Sequence, residues 1–564
     1  MKTHPTRIWS ITFSILCMAF SCSLQAQDLG NVDRENPIKV SGGFATGIRT
    51  YAASGIENRF DPYVWTASGN INLDVYGVLL PFSFLYSTQN STVRQPFNRF
   101  GVTPHYKWIK LYLGYTSMNF SSFTFNNNSF LGGGIELTPD NNLRFSAIYG
   151  RLRQSVESNF ANSFTIPSYK RLGYGFKVGY GTEQSHVDLI LFRAFDDPNS
   201  IIVPDTLEVN PQENLVLGIN SRYQLTKRLG ITFEYATSAI NRNRNITSTE
   251  LERRRVFNNL GGLFSPNITS EFYNAIQSSA TYRLNKVDFE VSYARVDPGY
   301  ETLSTYFFNN DREEVAFSAG VRLLKNKMYV RGGLGHQRNN LEGSESTTLE
   351  RLAGNASINY AFENGLSLAF FFTNFSSAVE YLVDEFQTDS LNYVQVSQSY
   401  GLNANYSLRD GDVAQSFSLN GNYQLQNVQA EIDNPGLSNS QLWNMTGNYN
   451  VNFVPTKLRL TLGLNFNSND ISGNVSDRYG LSLGATKSLF RNKLQIQLTS
   501  GGYNAYRNSS RTNTTINTRA GITYNVTSHH SLTGAFSLIQ RNQNSEENPS
   551  FSEYNGQINY RYRL

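Results

Sequence analysis

Residues 171–180 read RLGYGFKVGY, and this stretch decides the class of fold. Large apolar residues fill every second position, with arginine, lysine and glycine between them. A period of two is the pattern of a β-strand, because successive side chains point to opposite faces of a sheet. After a polar turn at residues 181–185, Val187, Leu189 and Leu191 resume the alternation. The two stretches predict a β-hairpin.

The same hairpin pattern recurs along the chain. Apolar alternation flanks further short turns at residues 226–228, 285–286, 363–365 and 454–457. Between the hairpins the connections are long and polar, as at residues 196–213, 239–270, 376–392 and 541–550. Outer-membrane barrels have short periplasmic turns and long external loops, whereas a β-sandwich has no reason to keep this alternation.

The composition also favours a membrane barrel over several soluble domains. Of the 564 residues, 16% are charged and 13% are aromatic, whereas soluble proteins average roughly 25% charged residues. Past the N-terminal segment no run of about 18 apolar residues occurs, so no transmembrane helix is predicted. The formal net charge of +4 argues against a nucleic-acid partner.

We therefore predict an all-β fold, a single large antiparallel transmembrane β-barrel of about 26 strands, with a range of about 24 to 28. The predicted organisation is a signal peptide at residues 1–26, a short periplasmic segment at 27–37 and the barrel at 38–564. The predicted location is the outer membrane of a Gram-negative cell. We expect the last strand, which alternates up to Leu564, to engage the barrel insertion machinery, and the outer wall to contact outer-membrane lipid.

The N-terminal segment has the layout of a secretory signal. Lys2 and Arg7 precede an apolar run, and Ala26 suits a cleavage site. The alternative is a membrane anchor. Cys17 and Cys22, the two cysteines, lie inside this segment, so the mature chain is predicted to contain no disulfide.

Three stretches carry a family resemblance: QPFNRFG at residues 95–101, PHYKW at 104–108, and DPGY at 297–300 together with NND at 309–311. With them the chain resembles plug-less porin-like outer-membrane β-barrel proteins of Bacteroidota, which are mostly uncharacterised. The stretches cover a small part of the chain. The resemblance implies a location and a fold but no settled activity, so no functional residue is carried over from it.

A barrel of this size has a wide lumen, and we expect something to narrow it. The longest loop, residues 239–270, contains a helix-start pattern at 249–252. The candidate plug or constriction is formed by Glu252, Arg253, Arg254 and Arg255. This segment either folds into the lumen or belongs to a solvated external loop.

Six charged residues are predicted to face the lumen: Lys177, Asp188, Asp288, Glu290, Arg322 and Arg331. Such charges either guide ions or pair with one another as structural charges. Removal of the predicted signal lowers the net charge from +4 to +2, which predicts no strong ion selectivity. Residues 300–308, rich in aromatics, suit docking of a partner or packing on neighbouring loops.

No catalytic, cofactor or metal motif is recognisable. The six histidines, including the adjacent His529 and His530 at a short turn, have no discriminating spacing. We therefore predict that the chain is not an enzyme and needs no cofactor. The predicted function is a porin-like channel for small solutes. The alternative is a non-enzymatic scaffold or secretion-associated barrel that docks a surface or periplasmic partner.

Overall fold

A computed structural model describes most of the chain after the predicted N-terminal segments. The described residues are 38–88, 99–157, 167–203, 208–247, 257, 260, 262–305, 310–381, 393–430, 438–543 and 549–564. The predicted signal peptide and periplasmic segment lie outside them. Within the described residues, no helix has the length and apolar character needed to cross a membrane.

The described residues form one antiparallel sheet of 27 strands. The strands are β1 (Ile38–Ser54), β2 (Tyr63–Val75), β3 (Val78–Ser87), β4 (Arg99–Val102), β5 (His105–Tyr106), β6 (Ile109–Asn119), β7 (Asn126–Leu137), β8 (Leu143–Arg153), β9 (Arg171–Gly181), β10 (His186–Asp196), β11 (Glu213–Gln224), β12 (Leu229–Asn241), β13 (Ser270–Arg283), β14 (Val287–Val296), β15 (Arg312–Leu323), β16 (Met328–Arg338), β17 (Thr347–Ala361), β18 (Leu366–Tyr381), β19 (Tyr393–Asp410), β20 (Val413–Ala430), β21 (Ser440–Phe453), β22 (Leu458–Ile471), β23 (Asn474–Leu489), β24 (Leu494–Arg507), β25 (Ser510–Asn525), β26 (His530–Gln543) and β27 (Phe551–Arg563).

The sheet closes on itself. β1 pairs with β27 in continuous antiparallel register, from Gly43 opposite Arg563 to Ser54 opposite Ser552. The short strands β4 and β5 both lie between β3 and β6 and share one place in the wall, so the 27 strands form a 26-strand barrel. The predicted strand number and fold class are confirmed.

In each strand, alternate side chains point to the outer surface of the barrel. Leu189, Leu464 and Leu483 are 58%, 56% and 59% exposed, and their strand neighbours point the other way. In water such a surface would be costly, whereas in lipid it is the expected exterior of a barrel. The exposed tyrosines Tyr282 and Tyr524 precede short turns, at the end of the barrel where an interfacial aromatic girdle is expected. The chain is an outer-membrane β-barrel.

Connection lengths follow the predicted rule on most of the circumference and break it at two places. At the end of the barrel where the other connections are long, two-residue turns occur at 472–473, between β22 and β23, and at 508–509, between β24 and β25. Gly473 has φ +84° and Asn508 has φ +47°. Tight hairpin turns need such left-handed residues, and glycine and asparagine accept them at the lowest cost.

The barrel has two unlike sides. Strands β9 to β11 contain 11 or 12 residues, whereas β19 and β20 contain 18 each. All but two of the buried hydrophobic residues lie between Tyr112 and Leu303. We call β6–β14 the packed side and β16–β27 the open side.

Candidate functional site: the barrel lumen

Two external connections of the packed side fold into the lumen. Loop A, residues 120–125, joins β6 to β7, and loop B, residues 297–305, belongs to the connection between β14 and β15. In loop A, Phe125 is fully buried and its ring stacks on Phe192 of β10, with ring centroids 5.0 Å apart. Phe192 points inward, so loop A lies against the inner wall.

Polar contacts hold loop A across the inner face. The backbone N–H of Phe123 donates to Glu234 Oε1 of β12 at 2.7 Å. On β9, Lys177 Nζ donates to the backbone oxygen of Asn119 at 3.1 Å and lies 5.5 Å from the centre of the Phe120 ring. A carboxylate that accepts from a buried N–H makes a charge-assisted bond, which is stronger than a neutral one. Loop A is therefore fastened at its start and near its middle.

Small residues make room for loop A. A side chain at Gly175 of β9 would meet Phe192 at 2.7 Å and Phe120 at 3.0 Å, and one at Gly218 of β11 would meet Thr124 at 2.8 Å. Both glycines face the lumen. Any larger residue would displace the loop, because packed interiors leave few voids.

Loop B covers loop A and ties it to the wall. Tyr300 Oη donates to the Phe123 backbone oxygen at 2.7 Å, and Ser304 Oγ donates to that of Thr124 at 2.5 Å. The backbone N–H of Leu303 donates to Asn214 Oδ1 of β11 at 3.1 Å. Burial, together with the nearby Glu234, raises the pKa of Tyr300 well above its usual range, so its hydroxyl remains a donor.

Loop B contains the start of the aromatic segment at residues 300–308, which is expected either to dock a partner or to pack on neighbouring loops. Tyr300 is completely buried and packs among inward-facing residues of β11 to β14: Val216, Ala236, Ala275 and Val296. It offers no docking surface. Residues 306–309 lie outside the described residues.

All six predicted lumen charges lie on inward-facing positions. Asp188 is 2% exposed and its carboxylate lies 3.1 Å from Arg144 Nε. Asp288 lies 3.8 Å from Arg322, and Glu290 lies 3.6 Å from Arg331. Lys177 is engaged by loop A. Their pairing favours the structural alternative, and an ion-guiding role for them remains a prediction.

The candidate plug of the 239–270 loop cannot be compared with its prediction directly, because only its flank belongs to the described residues. Glu252, Arg253, Arg254 and Arg255 lie outside the described residues. The described apolar flank, Phe257 and Phe264, is buried on the outward face of the barrel, against Leu215, Ala239 and Phe272. The Phe257 and Phe272 rings are 5.2 Å apart.

The position of the flank does not decide between the two predicted alternatives, which concern Glu252 and Arg253 to Arg255 and stay predictions. The flank itself enters no lumen, and it is not solvated. The strands under this flank have outward apolar residues up to their external ends, which lie beyond the lipid. The flank covers these residues and so removes their apolar surface from water.

One sequence signal pointed to loop A. Residues 187–195 of β10 read VDLILFRAF, and Ile190, Phe192 and Ala194 are buried on the lumen side. A strand that is apolar on both faces is expected to be covered on both faces. The inward glycines of β9 are the matching signal, because they leave space for the covering chain.

The histidine pair contacts the last strand, β27. His530 Nδ1 lies 2.7 Å from Tyr560 Oη, and His529 Nδ1 lies 2.9 Å from the backbone oxygen of Arg563. Among the described residues, no group of three or more histidine, cysteine, aspartate or glutamate side chains is placed to hold a metal ion.

The open side has a different inner face. Its lumen-facing positions are dominated by amides and hydroxyls that are at least partly exposed, among them Asn403, Asn420, Asn444, Asn448, Asn465 and Ser482. They bond across strands, as in Thr461 Oγ1 donating to Asn450 Oδ1 at 2.7 Å. No described loop packs on this face, since among the described residues beyond Arg312 only Asn340 and Ser377 have buried side chains.

Comparison with known proteins gives matches among solved structures only. No protein-family model and no curated protein matches the chain. OccK1 (OpdK) of Pseudomonas aeruginosa aligns with 68% of this chain and 99% of its own, at 10% identity and a TM-score of 0.29. A BenF-like porin of Pseudomonas fluorescens Pf-5 aligns with 68% and 99%, at 12% identity and a TM-score of 0.30.

A third structure, OccK2 (OpdF) of Pseudomonas aeruginosa in complex with glucuronate, aligns with 63% of this chain and 92% of its own, at 10% identity and a TM-score of 0.29. These structures are outer-membrane porins to which the chain is similar at low identity. The assignment of this chain as an outer-membrane barrel rests on its own strand pairing and its own apolar exterior.

Proposed function

We propose that this chain is a porin-like channel that passes small polar solutes through the outer membrane of a Gram-negative cell and catalyses no reaction. One observation carries the proposal: loops A and B fill the lumen only along the packed side, while the inner face of the open side is polar and uncovered by described residues. Amide and hydroxyl side chains can replace the hydration of a polar solute along such a path.

The resemblance to porin-like proteins of Bacteroidota belongs to the same proposal. It is supported by the stretches at residues 95–101 and 104–108, the second of which includes β5 and the turn into β6. Contact of β27 with the barrel insertion machinery is likewise proposed, and the alternating outward residues Ile558, Tyr560 and Tyr562 support it.

Single-channel recording with chemical modification tests the channel. Asn448 and Tyr449 are neighbours on β21, with Asn448 facing the lumen and Tyr449 the lipid. We expect the refolded barrel to conduct, and a charged, water-soluble thiosulfonate reagent to reduce the current of Asn448→Cys but not that of Tyr449→Cys. Equal responses of the two variants, or a barrel that is folded but silent, would contradict the proposal.

A scaffold function has one supporting observation. Ile202 and Ile268, in the connections around the outward cluster of Phe257 and Phe264, are 86% and 77% exposed. Exposed apolar residues on external loops suit docking of a surface protein. Recovery of a stoichiometric partner that is lost in Ile202→Ser and Ile268→Ser, together with a silent barrel, would favour the scaffold.

A further inference from the structure

The charged residues of the open lumen face are almost all of one sign. On β19–β27 the register places eight arginines on the lumen side: Arg409, Arg459, Arg478, Arg507, Arg519, Arg541, Arg561 and Arg563. In the described part of these strands, Glu553 is the one acidic residue on that face. The net charge of the whole chain gives no indication that these arginines lie together on one face.

Three of these arginines converge at the external mouth. Arg478 of β23, Arg507 of β24 and Arg541 of β26 line one cavity of about 830 Å³. The Arg478 guanidinium lies 4.6 Å from the centre of the Tyr503 ring, which holds it over the lumen face. The remaining wall includes one acidic residue, Asp477, and a further arginine, Arg511, among mostly polar residues such as Asn467, Asn513 and Gln543.

Asp477 lines the same cavity but forms no described ion pair with any of the three arginines. Among the described residues, none of them has a carboxylate oxygen within 4.0 Å. Glu553 is already engaged, since it accepts from Tyr51 Oη at 2.6 Å and lies 3.4 Å from Arg59. Arg541 Nε is buried and has no hydrogen-bond partner among the described residues. On the packed side, by contrast, Arg144 is paired with Asp188.

We propose that the open side is an anion-guiding path, and that Arg478, Arg507 and Arg541 form its entry site for small organic anions that also carry hydroxyl groups. This inference rests on the proposed channel function and names the class of solute. Guanidinium groups bind carboxylate, phosphate and sulfate oxygens through paired N–H donors. The neighbouring amides match hydroxyl groups because each amide both donates and accepts.

The arrangement along the strands supports a path rather than an isolated site. Arg478, Arg507 and Arg541 lie near the external ends of their strands, Arg519 lies farther along β25, and Arg561 lies near the opposite end of β27. Rows of like charge in a narrow polar passage raise the local concentration of counter-ions and steer them inward. The earlier expectation of no strong selectivity assumed an even distribution of charge, and the fold does not provide one.

Reversal potentials test the path. In a gradient of potassium chloride below about 0.1 M, where the Debye length is about 10 Å, we expect chloride to permeate about threefold more readily than potassium. The triple variant Arg478→Gln/Arg507→Gln/Arg541→Gln should lose most of this preference, and the triple lysine variant should keep it. Arg228→Gln, in an exposed turn on the opposite side of the barrel, is the matched control for loss of one cation and should leave it unchanged.

Block by sugars tests the entry site. Galacturonate and galactose are similar in size and hydroxyl content and differ in the carboxylate. We expect external galacturonate to reduce the chloride current at concentrations at least about tenfold below those of galactose, and the triple glutamine variant to abolish this difference.

The outcomes separate the two claims. A folded wild-type barrel that does not conduct overturns the channel and with it the path. A conducting barrel with equal or greater preference for potassium overturns the anion path and leaves the channel intact. Equal block by the two sugars overturns the entry site even if chloride is preferred.

Discussion

The packed and open sides of this barrel are built from the same kind of strand and differ in what lies against the inner face. On the packed side, β9 alternates large outward residues with inward glycines, and loop A fills the space that the glycines leave. On the open side, β21 alternates outward aromatics with inward asparagines that face the lumen. The outward pattern specifies membrane insertion, whereas the inward pattern specifies whether the lumen is filled or lined.

The largest expected effect concerns the centre of the packed side. Phe125→Ala removes a fully buried ring and should lower the free energy of unfolding by about 4 kcal/mol. Phe375, which is 40% exposed on the open side and lies 5.4 Å from Arg351, is the matched control and should cost less than half as much when changed to alanine. Denaturant titration of the refolded barrel in micelles measures both. Equal losses would mean that loop A adds no stability.

The next effect concerns the anchor of loop A. Glu234→Ala leaves the buried Phe123 N–H without its acceptor and should cost about 3 kcal/mol, while Glu234→Gln keeps an acceptor and should cost about 1 kcal/mol. The freed loop should also make the single-channel current noisier. Glu290→Gln, on the neighbouring wall, is paired with Arg331 and exposed, and should change neither property. Quiet recordings of Glu234→Ala at normal stability would argue against a fastened loop.

A smaller effect distinguishes inward glycines of the two sides. Gly218→Ala would place a methyl group 2.8 Å from Thr124, whereas Gly521→Ala would meet its nearest neighbour, Gln497, at 4.0 Å. We expect the first to cost about 1 to 2 kcal/mol through overpacking and the second to be nearly neutral. The comparison fails if the two variants have the same denaturation midpoint.

The smallest expected effect concerns the 239–270 loop. Because Phe257 and Phe264 are anchored on the outer face, deletion of residues 249–255 should leave single-channel conductance unchanged within about 10%. An increase comparable to that from displacing loop A would place Glu252 and Arg253 to Arg255 in the lumen after all. Barrel folding of the variant is checked by circular dichroism and heat-dependent gel mobility.

The sequence predicts the features that depend on local pattern. A period of two specifies strands, turn residues such as Gly473 specify hairpins, and counting hairpins gives the strand number. Even the covered inner face of β10 is visible in the four consecutive apolar residues Leu189 to Phe192. These signals are contained in stretches of about ten residues, within which neighbouring side chains already share or oppose a face.

The residues that pack against those strand faces could not be predicted from local pattern. Phe123 and Glu234 are 111 positions apart, and Phe123 and Tyr300 are 177 apart. Nothing in the local pattern states that the loop after β6 enters the lumen while Phe257 and Phe264, in the far longer loop after β12, pack on the outer face. Loop length gave no indication of loop A, because a complementary surface and not the length of chain decided that it packs in the lumen.

The sequence by itself determined that this chain is a large closed barrel with a lipid-facing exterior, because alternation is imposed by the geometry of a single strand. Only the tertiary structure decided which loops fill the lumen, which side stays lined by amides, and that eight arginines share one inner face. Those properties arise when strands distant in sequence become neighbours, and closure of the barrel decides which residues then face one another.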